Sequence, residues 1–260
     1  MTNPVPVSYS RFANSKWRQK PDYKFAAEHA TCKLVATELP RACMCLPIAF
    51  FKNENVYGCS AVLGLEPNNN LFVSSAGKWL GSYLPAIYRS YPFNIAVDEN
   101  GQAVLCFDAE SGLEIGDEDS SSGYSFFVSE SEPGVETAKV LQFLKSVQTS
   151  SLATEQVCNL LDELGLFEDW PVTLEVNGEQ KQVNGLLKIN ERKLQSLSPE
   201  QLARMAEAGA FMVCYCQLLS MQHLNDLIQY YQKKSGKGQP PSELSFSADE
   251  GGGTLNFDNL

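Results

Sequence analysis

A change of pattern near residue 134 constrains this chain more than any other feature. From Phe25 to Phe127 the apolar residues come in short runs, Leu46–Phe51, Asn70–Val73 and Ala103–Phe107. Glycines at 58, 64, 77, 81 and 101 and prolines at 67, 85 and 92 separate them. Runs of that length between turn residues read as strands. Beyond residue 134 the period changes. Val140, Leu141, Leu144 and Val147 share one helical face over 135–147, and Leu152, Val157, Leu160, Leu161 and Leu164 share another over 152–167. Strands first and helices later predict an α+β fold, with a sheet-rich N-terminal half packed on C-terminal helices.

Two local signals sharpen the second half. Val172–Val176 alternates, and Asn177-Gly178 follows, the dipeptide that supplies positive φ to a two-residue hairpin turn. A β-hairpin between helices is expected there, with the chain returning toward Gly185–Ile189. Ser198-Pro199-Glu200 reads as an N-cap with proline at the first helical position, opening helical sequence to about Lys233 that Gly209 interrupts. Ala208–Met221 reads as a buried helix, too short to cross a bilayer.

The chain is read as an arm over 1–22, a main domain over 23–234 with a sub-boundary near 134, and a disordered tail over 235–260. The tail holds Pro240-Pro241 and Gly251-Gly252-Gly253, and little apolar surface to offset ordering. The first twenty residues lack the apolar run of a signal peptide, so a cytoplasmic location is expected.

Charge excludes some partners. Thirty-one acids against twenty bases give a net −11, and residues 98–136 hold eleven acids and no lysine or arginine. Nucleic acid and anionic membrane are poor partners for such a surface. The acidic stretch reads as a solvated loop region. A calcium reading would use Asp108, Glu110, Glu114, Asp117, Glu118 and Asp119. It fails as an EF-hand because Leu113 stands sixth and Asp119 twelfth, where glycine and glutamate are required, which leaves only a site of another kind open.

Catalytic signatures are sparse. His29, Cys32, Cys43 and Cys45 offer zinc-type donors in an apolar setting with the wrong spacing, so no metal site is expected. Cys214 and Cys216 lie two apart on a helix and point away from each other. The eight cysteines read as reduced, buried thiols. There is no nucleophile elbow, phosphate-binding loop or dinucleotide fingerprint, and no cofactor is expected.

Lys78–Phe93 is the dense segment. It gathers five aromatics with Arg89. Aromatic faces stack on rings, and guanidinium takes carboxylate in a bidentate fork. A ligand site here would use Trp79, Tyr83, Arg89 and Tyr91 and take a small ligand with a ring or a carboxylate. The competing reading puts the aromatics in the core and Arg89 on loop carbonyls.

This segment and its neighbours resemble the SapC family. The features that carry the likeness are Glu38-Leu39-Pro40-Arg41-Ala42, Leu46–Phe50, Leu63-Gly64-Leu65, Asn70–Val73 and Trp79–Phe93. Asn177-Gly178, Gly185–Glu191 and Leu194–Leu197 continue it, over roughly residues 20–232. Cys45-Leu46, where an aromatic is expected, and Asn190, where an acid is usual, depart from the pattern. The resemblance implies a bacterial accessory or binding protein, historically linked to the surface layer, whose relatives accompany outer-membrane receptor and flavin-dependent halogenase-like genes. It implies no settled reaction, and adds Glu38 and Glu191 as polar neighbours of the site. A protein partner, or an enzyme acting on an envelope glycan or peptide, are the other readings it leaves open.

Overall fold

The computed structural model describes residues 3–19, 22–53, 56–97, 99, 101–116, 123–176 and 179–235. The α+β expectation holds. Every strand pairing among the described residues is antiparallel.

A five-stranded sheet forms the centre, in the order Phe167–Asp169, Leu187–Ile189, Ile48–Asn53, Val56–Val62, Thr31–Lys33. Its second strand comes from the C-terminal half, so the two halves share one sheet. That junction is thin, because Leu187 and Phe50 are the one registered pair joining Leu187–Ile189 to Ile48–Asn53. Gln217, fully buried on the helix Ala210–Ser220, reinforces it. Its Oε1 accepts from the Ile189 amide (3.0 Å) and its Nε2 donates to the Ile48 carbonyl (3.3 Å). A buried backbone group left unpaired is costly, and this one side chain satisfies two of them.

The N-terminal segment, expected as an arm, supplies strands to two further sheets. Pro4–Pro6 pairs with Ala103–Asp108, which also pairs with Phe93–Val97. Ser15–Trp17 lies between Glu114–Gly116 and Tyr124–Ser125. Phe12 and Trp17 enter a second apolar cluster with Phe93, Phe107 and Phe126. The ring of Phe12 lies 4.4 Å from that of Phe126, and Trp17 meets Phe93 edge-on at 4.8 Å.

Two helices were expected between 135 and 167; one helix, Val135–Glu163, replaces them. Its first half packs Leu144 into the second cluster, while Val157, Cys158 and Leu161 enter the main core. The apolar period fails over 148–151, where the helix passes the polar turn at Ala36–Glu38. Ser150 hydrogen-bonds Thr37 (3.0 Å), and Thr154 Oγ1 accepts from the Ala36 amide (2.7 Å) while donating to the Ser150 carbonyl. Gly165, at φ +61°, then ends the helix region in the left-handed conformation.

Asn70–Val73 also departs from expectation. It forms no strand, only a bridge from Val73 to Trp79. The buried Asn70 side chain accepts from the Phe72 amide (2.9 Å) and donates to the Ala26 carbonyl (2.9 Å), so it fixes a turn where apolar content suggested a strand. Gly64 lies against that turn, and any Cβ there would meet the Asn69 carbonyl oxygen at 1.7 Å.

The strands Val172–Val176 and Glu179–Val183 pair in the register of the expected hairpin, Val176 opposite Glu179; Asn177-Gly178 itself lies outside the described residues. Ser198 caps Pro199–Glu207 through Gln201, and Gly209, at φ +66°, separates that helix from Ala210–Ser220. The latter buries one face and exposes Met212, Tyr215 and Leu219 on the other. A last helix spans Gln222–Ser235, and the expected disordered tail from 236 onward lies outside the described residues. No helix among the described residues is long and apolar enough to cross a membrane.

All eight cysteines are free and buried. Burial raises the Cys32, Cys158 and Cys214 thiols to about 12, so each stays protonated at neutral pH. Among the described residues no group of three or more His, Cys, Asp or Glu is placed to hold a metal ion. Asp117, Glu118 and Asp119 of the calcium reading lie outside the described residues.

Candidate functional site

The segment 79–93 folds as a loop, the short helix Ala86–Arg89 and a turn through the cis peptide Tyr91–Pro92. It lies at the seam between the two apolar clusters. Tyr88 belongs to the main core and Phe93 to the second. Three tyrosines fasten it there, each through its hydroxyl to a different element.

Tyr83 donates to Glu38 Oε1 at 2.8 Å. The same oxygen accepts from the Ala86 amide at 2.7 Å, and Oε2 accepts from the Val35 amide at 3.1 Å. Glu38 is only 5% exposed, so a buried carboxylate joins the turn before Leu39 to the start of the short helix. Burial first, then the bond to Glu38, raises the Tyr83 pKa.

Tyr88 lies between His29 and Cys32. Its hydroxyl is 3.2 Å from His29 Nδ1, and all three side chains line one cleft. Tyr91 donates to Asp108 Oδ2 at 2.9 Å. Asp108, a candidate calcium ligand by sequence, is buried and committed elsewhere. Its Oδ1 accepts from the amides of Asn3 and Glu110, both at 3.1 Å.

Trp79 has a scaffold role as well. Its Nε1 donates to the Tyr83 carbonyl (3.0 Å), and its ring stacks on Phe72 at 5.5 Å.

Arg89 is different. It is exposed, and among the described residues no carboxylate pairs with it. Its guanidinium lies 5.1 Å from the Phe143 ring centroid and 5.9 Å from that of Tyr83, with Nη2 3.5 Å from the Tyr83 hydroxyl. Two aromatic faces thus orient a cation whose donors remain available. Arg89 forms part of the rim of a cleft of about 240 Å3 walled by Trp17, Tyr23, Phe25, Tyr88 and Tyr91.

Phe25 and Tyr91 stack at 3.9 Å with rings 6° from parallel. The pair borders a second cleft as well, of about 240 Å3, lined also by His29, Cys32, Tyr88 and Asp108. A third, of about 220 Å3, lies between the short helix and Leu144, Val147 and Gln148 of the long helix.

The structure therefore brings Trp79, Tyr83, Glu38, Arg89 and Tyr91 into one neighbourhood. Of these, Arg89 and Tyr91 face the aromatic cleft, while Trp79, Tyr83 and Glu38 brace it from behind. Glu191 is elsewhere. It begins the helix Glu191–Gln195 in a separate polar cleft with Lys188 and Arg192, and accepts from Gln195 at 3.3 Å. Sequence reading missed Phe25 and Trp17 as walls and Phe143 as the ring under Arg89, because each comes from a distant segment with no local mark of the role.

The His29–Tyr88 contact carries a pH dependence. Burial lowers the His29 pKa, opposed in part by nearby Glu28. A lowered folded pKa means the unfolded chain binds the proton more readily, so stability is retained above the unfolded value of about 6.5 and falls as pH drops below it. Denaturant titrations at pH 7.5 and pH 5.5 should show a loss that His29→Gln reduces. An equal loss in the variant would assign the effect to other groups.

A family model described as SapC matches residues 7–227 of the chain. Neither the curated proteins nor the solved structures compared with the chain contain a match. The chain belongs to the SapC family.

Proposed function

We propose that this protein is a binding or accessory protein, and that the cleft bordered by Arg89 and Tyr91 receives a small ligand bearing a ring and a carboxylate. The observation that supports this most is the Arg89 guanidinium, which pairs with no carboxylate among the described residues and is oriented by Phe143 and Tyr83 beside a wall of aromatic faces. A ring stacks on the wall and its carboxylate meets the fork. The chain's net charge of −11 makes a local, oriented cation the chief source of attraction for an anion. Binding rather than catalysis is favoured because both buried carboxylates nearby, Glu38 and Asp108, are taken up by hydrogen bonds, and the Cys32 thiol is held protonated. In this reading the role in the cell is that of an accessory to envelope-linked uptake or substrate modification, performed from the cytoplasmic side.

The test uses 2-naphthylacetate as ring-carboxylate probe. Arg89→Lys keeps the charge and loses the fork, so affinity should fall about five- to one-hundred-fold, the equivalent of about 1–3 kcal/mol. Melting temperature should not change, since Arg89 is exposed. Equal affinity in the two proteins would remove Arg89 from the site. Unfolding at the temperature of a core variant would make it a structural clasp.

A further inference from the structure

Two sheets end at the seam with an open edge, and both edges border the same groove. Thr31–Lys33 is the last strand of the five-stranded sheet, and Phe93–Val97 the last of the sheet it forms with Ala103–Asp108. Thr31, Cys32 and Lys33 line the second cleft together with Phe93 and Asn94. Lys33 then passes into the third cleft with Asn94 and Ile95. The two clefts share Lys33, Ile87 and Asn94, so they form one continuous groove. Ile87, 47% exposed although apolar, lies along its length.

The register fixes which backbone groups face outward. Thr31 stands opposite Val62 and Lys33 opposite Ser60. The Leu34 amide donates to the Cys59 carbonyl and the Leu63 amide to the Ala30 carbonyl, so the even-numbered residues bond inward. In an antiparallel pair the alternate residues then turn their N–H and C=O away from the partner. Those residues are Thr31 and Lys33. On the opposite strand the Asp108 amide donates to the Pro92 carbonyl, with Asn94 opposite Cys106, which turns Ile95 outward by the same alternation. Among the described residues, these outward groups meet no neighbouring strand. The Lys33 carbonyl has the Cys32 thiol of its own strand at 3.7 Å, a weak donor that an incoming amide would displace.

We infer that this groove accepts an extended peptide, which adds as a strand along Thr31–Lys33 with its apolar side chains over Ile87. The outward N–H and C=O groups of Thr31 and Lys33 recur every second residue, the spacing an extended backbone presents. Apolar walls from Ile87, Tyr91, Pro92, Phe93 and Leu144 select apolar side chains at alternate positions of the incoming strand. A compact ligand would leave the edge groups unmatched, whereas a peptide backbone matches them. The occupant is thus an unstructured segment of another protein with alternating apolar residues. This surface does not require Arg89, which lines the other cleft and neither part of this groove.

The probe is a soluble heptapeptide that alternates valine with threonine and carries one lysine and one glutamate at its ends. Backbone-amide NMR of the full chain follows its titration, with two further versions N-methylated on the valines or on the threonines. Saturable shifts at Thr31 and Lys33, slowed hydrogen exchange of those amides, and at least tenfold weaker binding of one methylated version are expected, because methylation removes main-chain donors and keeps the side chains. No saturation at millimolar peptide would overturn the inference. So would binding that neither methylation weakens, which would mark side-chain capture by the cleft alone. Protection of the same amides that rises with protein concentration and without peptide would overturn it in favour of self-pairing.

Discussion

Replacing Glu38 by alanine is expected to destabilise the folded chain by about 3–5 kcal/mol, because buried donors left without an acceptor cost about 1–3 kcal/mol each. Three donors lose their acceptor at once: the amides of Val35 and Ala86, and the Tyr83 hydroxyl. Hydrogen bonds to a charged group are worth about 1.5–3 kcal/mol each, and they do not add fully when they share one carboxylate. For a chain of this size the melting temperature should fall by about 10 °C. Glu38→Gln retains one acceptor oxygen but aims an amide donor at a backbone N–H, so it should lie between wild type and alanine. Tyr83→Phe removes one bond of the three and should cost about 1 kcal/mol. Chemical denaturation of the three variants separates them. A loss below about 1 kcal/mol for Glu38→Ala would mean that the carboxylate does not hold the helix Ala86–Arg89, and would return Glu38 to the list of ligand contacts.

Trp17→Ala should be of similar size, about 3–5 kcal/mol, as expected for removing a buried large aromatic. Trp17 is 4% exposed, meets Phe93 and Tyr124, and donates its indole N–H to Thr137 Oγ1 at 2.9 Å. It joins the central strand of one small sheet to the start of the long helix. Its ring also walls the Arg89 cleft, so the variant should lose affinity for the ring probe as well as stability. Calorimetry with and without 2-naphthylacetate measures both. A stable Trp17→Ala protein would show that the N-terminal segment lies over the domain without completing its core.

Local signals in the sequence translated directly into structure where one segment decided the outcome. Ser198 caps one helix with its hydroxyl, Gly209 breaks the next with a left-handed φ that lack of a Cβ permits, and the strands flanking Asn177-Gly178 pair in the register that dipeptide implies. Where a distant partner decided, the sequence misled. Gln148–Ser151 resembled a helix boundary, yet Ser150, with Thr154 a turn later, bonds the Ala36–Glu38 turn, and nothing near residue 150 announces that neighbour. Asn70–Val73 resembled a strand because the side-chain bond from Asn70 to Ala26 is long-range. The site divides the same way. Aromatic density with one arginine located the seam, but it did not separate Arg89 and Tyr91, which face the cleft, from Trp79, Tyr83 and Glu38, which support it. Glu191 entered through family resemblance alone and belongs to another cleft.

The central claim is that an oriented guanidinium and an aromatic wall at this seam form a binding site. The most direct measurement compares 2-naphthylacetate with 2-naphthylacetamide, which share the ring and differ in charge, by backbone-amide NMR. The account predicts that the carboxylate binds at least tenfold more tightly, in keeping with a charge-assisted fork. Its shifts should centre on Tyr88, Arg89 and Tyr91, and the preference should vanish in Arg89→Gln. Equal binding of acid and amide, or shifts centred away from residues 88–91, would contradict it.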